Sequence, residues 1–212
     1  MIRAILFDLD GTLIDSAPRI CAGLRASLAA VGVQIPPEPE LRACIGLPLP
    51  HVWRRLGVPE GRDADAVAGY QAWVTATNPS LPQEFPDAGA LLAGLHATGH
   101  QLVLASAKDT ASARRHLVMH GWAHLFLGAS GTEPGDGADK RALVARALAM
   151  LPEGLRRDAV LVGDMPVDGD AASANGIGFI AVSWGYGARA DLLSHRPLAL
   201  VADVAELARL LA

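Results

Sequence analysis

Asp8 and Asp10, two carboxylates separated by one residue, are the first groups in this sequence that could do chemistry. They follow a short apolar run at residues 2–7, which is typical of a buried strand. Residues i and i+2 of an extended segment project to the same side. One carboxylate could therefore attack an electrophile while the other transfers protons, and the pair could bind a divalent cation. An ordinary acidic turn has the same pattern, so other groups must support this interpretation.

A second pair of carboxylates, Asp164 and Asp168, follows another apolar run, at residues 159–162. Carboxylate oxygens are hard ligands that suit Mg²⁺. Added to Asp8, this pair predicts a metal site at the end of the predicted strands. Asp170 is a nearby third carboxylate, which either supports the site from outside or is simply exposed.

Ser106 and Lys140 are candidates for binding a phosphoryl group. Ser106 follows an apolar run at residues 101–105, where a hydroxyl suits a phosphoryl oxygen, although helix capping is the commoner role of such a serine. Lys140 opens a predicted helix and could neutralise both a nucleophilic carboxylate and an incoming phosphate. Lys108 is its rival, and these two residues are the only lysines among the 18 basic residues.

The elements that must position these groups are short apolar runs separated by helix-like stretches. The strand candidates are residues 2–7, 101–105, 159–162, 178–182 and, more weakly, 199–201. The helix candidates are residues 88–97, 110–120, 140–151, 167–175 and 204–211, the last with Asp203 as its N-cap. Continuous apolar runs are typical of strands buried on both faces. The alternation predicts an α/β fold with a Rossmann-like, doubly wound parallel sheet that binds ligands at its carboxyl edge.

Residues 16–83 break this alternation, because they have helical periodicity and no convincing strand. Proline and glycine residues punctuate the segment. We therefore predict a helical subdomain at residues 16–83, inserted into an α/β domain of residues 1–15 and 84–212. Residues 78–86 would form the return linker.

The composition indicates a folded protein, with 51% hydrophobic and 19% charged residues. A formal net charge of −4 offers no electrostatic case for binding nucleic acid or an anionic membrane. Cys21 and Cys44 lack the spacing of a metal site or a disulfide framework. With no signal-peptide pattern and no apolar stretch of about 20 residues, we expect reduced thiols and a cytoplasmic location. The oligomeric state cannot be read from the sequence.

Taken together, the four motifs resemble those of the haloacid dehalogenase superfamily. The segment Asp8-Leu9-Asp10-Gly11-Thr12-Leu13 is similar to motif I, Ser106 to motif II, Lys140 to motif III, and Gly163-Asp164 with Asp168 to motif IV. They occur in the order of the family. The helical insert resembles the C1-type cap of the phosphoglycolate-phosphatase-like branch, as do Gly46-Leu47-Pro48-Leu49 within it and Trp184-Gly185-Tyr186-Gly187 after motif IV.

This resemblance implies a Mg²⁺-dependent phosphatase that acts on a small phosphorylated metabolite, such as phosphoglycolate, a nucleotide or a sugar phosphate. Asp8 would be the nucleophile, and Asp10 would act first as general acid and then as general base. The metal ligands implied are Asp8, the Asp10 backbone carbonyl, Asp164 and Asp168. Ser106 and Lys140 would hold the phosphoryl group, and the cap would exclude water and select the substrate.

Departures from the family pattern leave alternatives open. Many relatives have Thr-Asn-Lys at motif II where this chain has Ser106-Ala107-Lys108, and Lys140 lacks the proline that often follows it. Asp10 argues against a dehalogenase, and the absence of lysine from residues 16–83 argues against a phosphonatase. A sugar-phosphate mutase of the β-phosphoglucomutase type stays possible because it shares the core. Its cap usually supplies a lysine and a histidine, and of these only His51 is present here. A non-catalytic ligand-binding protein on this fold is the alternative from another class.

Overall fold

The computed structural model describes residues 2–47, 49–77, 82–133 and 135–212. The chain forms two compact units, one of Met1–Ile14 with Glu84–Ala212 and the other of Asp15–Gln83. The sequence predicted the division at residues 16–83, and the role of the second unit as a cap stays a prediction. Pro48 of the predicted cap element lies outside the described residues, as do Asn78 and Pro79 of the predicted return linker.

The first unit is built on a parallel sheet of six strands. The described residues contain these six strands and two further short ones. In chain order they are β1 (Ala4–Phe7), β2 (Ile14–Asp15), β3 (Gln83–Glu84), β4 (Gln101–Asp109), β5 (Phe126–Thr132), β6 (Val160–Gly163), β7 (Gly178–Val182) and β8 (Ala199–Val201). The six-stranded sheet has the order β5-β4-β1-β6-β7-β8, and β2 and β3 form a separate two-stranded sheet. The central strand β1 therefore lies between β4 and β6.

The second unit is helical. Its helices are α1 (Ala17–Val31), α2 (Glu38–Arg42), α3 (Leu49–Arg55) and α4 (Asp63–Thr77). Glycine lets α1 and α4 pack closely, because a Cβ atom at Gly23 would overlap the ring of Tyr70. The thiols of Cys21 and Cys44 are free and buried, as the sequence predicted.

Helices cover both faces of the six-stranded sheet. They are α5 (Ala88–Ala97), α6 (Thr110–Met119), α7 (Lys140–Met150), α8 (Pro166–Ala174), α9 (Arg189–Ser194) and α10 (Val204–Leu211), with short 3₁₀ helices at Ala123–Leu125 and Glu153–Leu155. Successive strand residues point to opposite faces. Phe7 accordingly packs in one core cluster with Leu92 of α5, whereas Leu6 packs in the other with Val144 of α7. The predicted doubly wound α/β fold is confirmed.

Several predicted elements match the structure in their bounds. Strands β7 and β8 and helices α5 and α10 have the predicted bounds, whereas β4 continues to Asp109 instead of ending at residue 105. The sequence analysis missed β5 and α9. Strand β5 contains Gly128 and Gly131 and lies at the edge of the sheet, where it has no need of a continuous apolar run. Helix α9 has only six residues, too few for periodicity to be recognised.

Within the described part of the chain, the helices are all too short or too polar to cross a bilayer.

Asp203 is the predicted N-cap of helix α10. Asp203 Oδ1 accepts a hydrogen bond of 2.7 Å from the Glu206 amide, which confirms the prediction. We expect Asp203→Ala to lower the free energy of unfolding by about 1 kcal/mol, because an amide of the first turn loses its acceptor. Urea unfolding followed by circular dichroism would measure the change. Asp203→Asn keeps a capping oxygen and is the control; equal losses in both variants would contradict this role.

Candidate active site

The sheet order brings three of the predicted motifs to adjacent strand ends. Asp8 follows β1, Asp164 follows β6, and Ser106 lies in the last part of β4. The register places Phe7 opposite both Leu104 and Val162. The carboxyl ends of parallel strands meet at one edge of the sheet, which is where α/β proteins bind their ligands.

Three buried carboxylates form the centre of the site. Asp8, Asp164 and Asp168 each offer an oxygen within 4.8 Å of the others. Asp8 continues from β1, and its amide donates a hydrogen bond of 2.9 Å to the Val162 carbonyl. Asp168 lies in the first turn of α8, where Oδ2 accepts a hydrogen bond of 3.0 Å from the Met165 amide. The structure thus brings together three of the four residues predicted to bind the metal.

Burial and mutual repulsion make Asp8 and Asp164 difficult to ionise. Burial raises the pKa of Asp8 to about 7, against the opposing charge of Lys140 and with a contribution from Asp168. Burial also raises the pKa of Asp164 well above its usual range, and Asp8 and Asp168 add to that shift. An added cation would offset the cost of burying these negative charges and would relieve the repulsion between them.

Lys140 is the cation that this cluster already contains. Its Nζ atom lies 2.7 Å from Asp8 Oδ1 and 2.9 Å from Asp168 Oδ1, and the residue is only 9% exposed. Burial by itself would lower the pKa of Lys140, but Asp168 and Asp8 outweigh it and hold the pKa above its ordinary value. The residue is the first of α7, whose N-cap Asp139 accepts a hydrogen bond of 3.0 Å from the Ala142 amide. The helix start therefore fixes the lysine beside Asp8.

The Asp10 carboxylate has a different partner. Its Oδ2 atom lies 3.0 Å from Nζ of Lys108, in an ion pair whose side chains are 12% and 20% exposed. The two lysines thus have different partners: Lys140 contacts Asp8, and Lys108 contacts Asp10. The role of Lys140 in binding the phosphoryl group stays a prediction. The Asp10 backbone carbonyl as a metal ligand stays a prediction.

Ser106 and Lys108 share an irregular stretch of β4. The pairing of β4 with β5 changes register between Ala105 and Asp109. Such a bulge bends a strand and redirects its side chains. Ser106 is buried, and its hydroxyl oxygen accepts a hydrogen bond of 3.2 Å from the Lys108 amide. The hydroxyl hydrogen can then point toward a separate acceptor.

The sequence analysis missed the groups that hold Asp164. The Thr12 hydroxyl donates to Asp164 Oδ1 at 3.1 Å, and the Tyr186 amide donates to Oδ2 at 2.8 Å. Both hydrogen bonds lower the pKa of Asp164 and partly offset its burial. Thr12 and Tyr186 lie in motifs that the sequence analysis quoted, but their types alone did not indicate this role.

Glycines allow the close approach of three loops at Asp164. Gly11 has a φ of +87°, and a Cβ atom there would overlap the Asp164 carboxylate. A Cβ atom at Gly185 would overlap Asp164 as well. The indole Nε1 of Trp184 donates to the Thr12 carbonyl at 3.1 Å and ties the last loop to the first.

Asp170 lies apart from this cluster. Its carboxylate Oδ1 lies 3.4 Å from His195 Nδ1, and its side chain is 51% exposed. The structure therefore favours the interpretation of Asp170 as an exposed residue.

The donor set fits a small divalent cation. Three carboxylates supply only hard oxygen ligands, and their convergence in a buried site needs positive charge beyond that of Lys140. Mg²⁺ matches such ligands and retains coordination positions for water or for phosphate oxygens.

The sequence matches a family model described as haloacid dehalogenase-like hydrolase over residues 5–182. The tyrosine-protein kinase PtkA of Mycobacterium tuberculosis is 34% identical over 207 residues, covering 96% of this chain and 69% of the relative. A 5'-nucleotidase of Pseudomonas aeruginosa is 32% identical over 98% of this chain and 94% of its own. A phosphoglycolate phosphatase of Cereibacter sphaeroides is 32% identical over 86% of this chain and 85% of its own.

Solved structures agree with the sequence matches. A haloacid dehalogenase-like family hydrolase from Streptococcus pneumoniae superposes with a TM-score of 0.90 at 29% identity, covering 100% of this chain and 99% of its own. The structure of M. tuberculosis PtkA gives a TM-score of 0.84 at 32% identity, with 100% and 98% coverage. The matched model spans most of the α/β unit and all four motifs. The chain therefore belongs to the haloacid dehalogenase-like hydrolase family.

Proposed function

We propose that this haloacid dehalogenase-type phosphatase hydrolyses a small phosphomonoester with the help of Mg²⁺, through a phosphoryl group carried on Asp8. One observation carries the proposal: the buried group of Asp8, Asp164 and Asp168, with Lys140 held 2.7 Å from Asp8. A nucleophile, a cation site and a fixed positive charge close together are what phosphoryl transfer requires.

The first step forms the covalent intermediate. A carboxylate oxygen of Asp8 attacks phosphorus, and the bond between phosphorus and the ester oxygen breaks. Asp10, two residues along the chain, donates a proton to the departing oxygen, so that the leaving group is a neutral alcohol. Lys140 balances the negative charge that gathers around Asp8 and the phosphoryl oxygens.

The second step regenerates the enzyme. The Asp10 carboxylate now takes a proton from water, and the water oxygen attacks phosphorus as the bond to Asp8 breaks. Inorganic phosphate leaves, and Asp10 regains the proton for the next cycle. Dividing the displacement in two lets one residue serve as acid and then as base.

Other residues would bind and orient the reacting groups. Asp8, Asp164 and Asp168 would hold Mg²⁺, which when bound supplies positive charge at the phosphoryl oxygens. The Ser106 hydroxyl, whose oxygen accepts from the Lys108 amide, can donate its hydrogen to a phosphoryl oxygen. We assign the choice of substrate and the exclusion of water to the helical unit of Asp15–Gln83.

The names of the relatives guide the choice of substrates to test. Two of them are named as a 5'-nucleotidase and a phosphoglycolate phosphatase, so nucleoside monophosphates and small phosphorylated acids are the first esters to test, followed by sugar phosphates. A mutase and a non-catalytic protein are the alternatives. The similarity to PtkA adds transfer to a tyrosine hydroxyl as an outcome to measure.

The nucleophile is tested by phosphate release from a panel of these esters, with Mg²⁺ or with EDTA. We expect Mg²⁺-dependent turnover in the wild type and a loss of at least about 10³-fold in Asp8→Asn, because the amide cannot form the intermediate. Circular dichroism checks that the variant is folded. Isomerisation of a sugar phosphate without phosphate release, or transfer from ATP to a tyrosine peptide, would replace hydrolysis as the assigned reaction.

The cation site can be tested without turnover. We expect Mg²⁺ to raise the melting temperature of the wild type, because a ligand that binds only the folded state stabilises that state. At a concentration of 100 times its Kd, the free energy of unfolding rises by about 2.7 kcal/mol. Asp164→Asn should lose most of this shift. Asp191→Asn, which removes an exposed carboxylate of α9, is the matched control. Equal shifts in all three proteins would argue against the site.

Lys140 should be needed for stability as well as for activity. We expect Lys140→Met to lower the free energy of unfolding in EDTA by about 3–5 kcal/mol, because Asp8 and Asp168 lose their buried partner. Mg²⁺ should recover part of the loss by supplying charge to the same carboxylates. Urea unfolding with and without Mg²⁺ measures both effects. Arg141→Met changes the next, exposed residue; a loss as large there would mean that the effect is not specific to the cluster.

A further inference from the structure

The ion pair between Lys108 and Asp10 points to a role for Lys108 that no motif assigns. We propose that Lys108 is a positioning residue that holds the Asp10 carboxylate in place for both proton transfers and does not bind the phosphoryl group itself. This inference rests on the proposed function. It is carried by the 3.0 Å distance between Lys108 Nζ and Asp10 Oδ2, in a pair of mostly buried side chains.

The backbone around Lys108 is fixed from several sides. Its amide donates to the Ser106 hydroxyl at 3.2 Å, and a Cβ atom at Gly131 of β5 would overlap its carbonyl oxygen. The next residue, Asp109, caps α6 by accepting a hydrogen bond of 2.8 Å from the Ser112 amide. A lysine is usually a flexible group, but here its Cα atom lies between a strand bulge and a capped helix start. A fixed backbone position suits a residue that holds another side chain in place.

The two lysines of the chain contact different carboxylates. Lys140 contacts Asp8 and Asp168, whereas Lys108 contacts Asp10. The other 16 of the 18 basic residues are arginines. Both lysines of this chain contact carboxylates of the site. An ammonium group is a compact charge that can approach a single carboxylate oxygen, whereas the planar guanidinium group needs more room.

Positioning matters for Asp10 because it must reach two different oxygen atoms in turn. It first donates a proton to the leaving oxygen and then accepts one from water, and both transfers need a heavy-atom distance of about 2.6–3.2 Å. Without Lys108, repulsion from Asp8 would favour other rotamers of Asp10. A misplacement of about 1 Å can reduce a rate by about 100-fold.

A double-mutant cycle tests this role. The proteins are the wild type, Lys108→Met, Asp10→Asn and the double variant, each assayed for kcat, for KM and for inhibition by inorganic phosphate. We expect Lys108→Met to lower kcat by about 10–100-fold, while KM and the inhibition constant for phosphate change by less than about twofold. In the Asp10→Asn background the same substitution should have no further effect, because Lys108 acts through Asp10.

Two further variants separate positioning from general effects. Lys108→Arg keeps the charge and should recover part of kcat, which a purely structural defect would not explain. Arg115→Met removes an exposed cation from nearby α6 and should leave kcat unchanged. A rise in KM and in the phosphate inhibition constant at constant kcat would make Lys108 a phosphate ligand and overturn the inference. Losses that multiply in the double variant would overturn it too.

The two proposals fail in different ways. If the wild type hydrolyses no ester of the panel, the proposed function fails and the role of Lys108 fails with it. If the wild type is active and depends on Asp8, but Lys108→Met matches it in kcat, only the inference about Lys108 fails.

Discussion

Repulsion among buried carboxylates is the constraint on which the site depends. Asp8, Asp164 and Asp168 place oxygens within 4.8 Å of one another in the interior of the protein. Negative charges in such a place need compensation by cations and hydrogen-bond donors. Lys140 provides the cation for two of them, and the Thr12 hydroxyl and the Tyr186 amide serve the third. The remaining excess of negative charge is what makes the site suitable for a divalent cation.

The parallel sheet makes this convergence possible. Because β1 lies between β4 and β6, the loops that follow these strands meet at one edge, and residues about 150 positions apart in the chain can share a hydrogen bond, as Thr12 and Asp164 do. Glycines then let the backbone come close: a side chain at Gly11 or Gly185 would occupy the space of the Asp164 carboxylate. The apolar layers on either side pack against the strands and thus keep the three carboxylates at fixed distances.

The proposed mechanism is compatible with the different names of the relatives. Carrying a phosphoryl group on a carboxylate separates removal of the group from its donor and delivery to an acceptor. As the relatives are named, a nucleotidase and a phosphoglycolate phosphatase differ in the phosphoryl donor, and a tyrosine kinase differs from both in the acceptor. In this chain the choice of water would rest on Asp10, and the choice of ester on the helical unit.

The sequence by itself determined the α/β class, the positions of the most apolar strands and the acidic and basic residues that the structure brings together, because continuous apolar runs and paired carboxylates are local patterns. It did not determine β5, whose glycines and edge position weaken such a pattern. Only the tertiary structure decided which lysine contacts which aspartate, and which amide supports Asp164. These contacts depend on distances between loops far apart in the chain, and a backbone amide belongs to every residue except proline, so residue type cannot reveal its role.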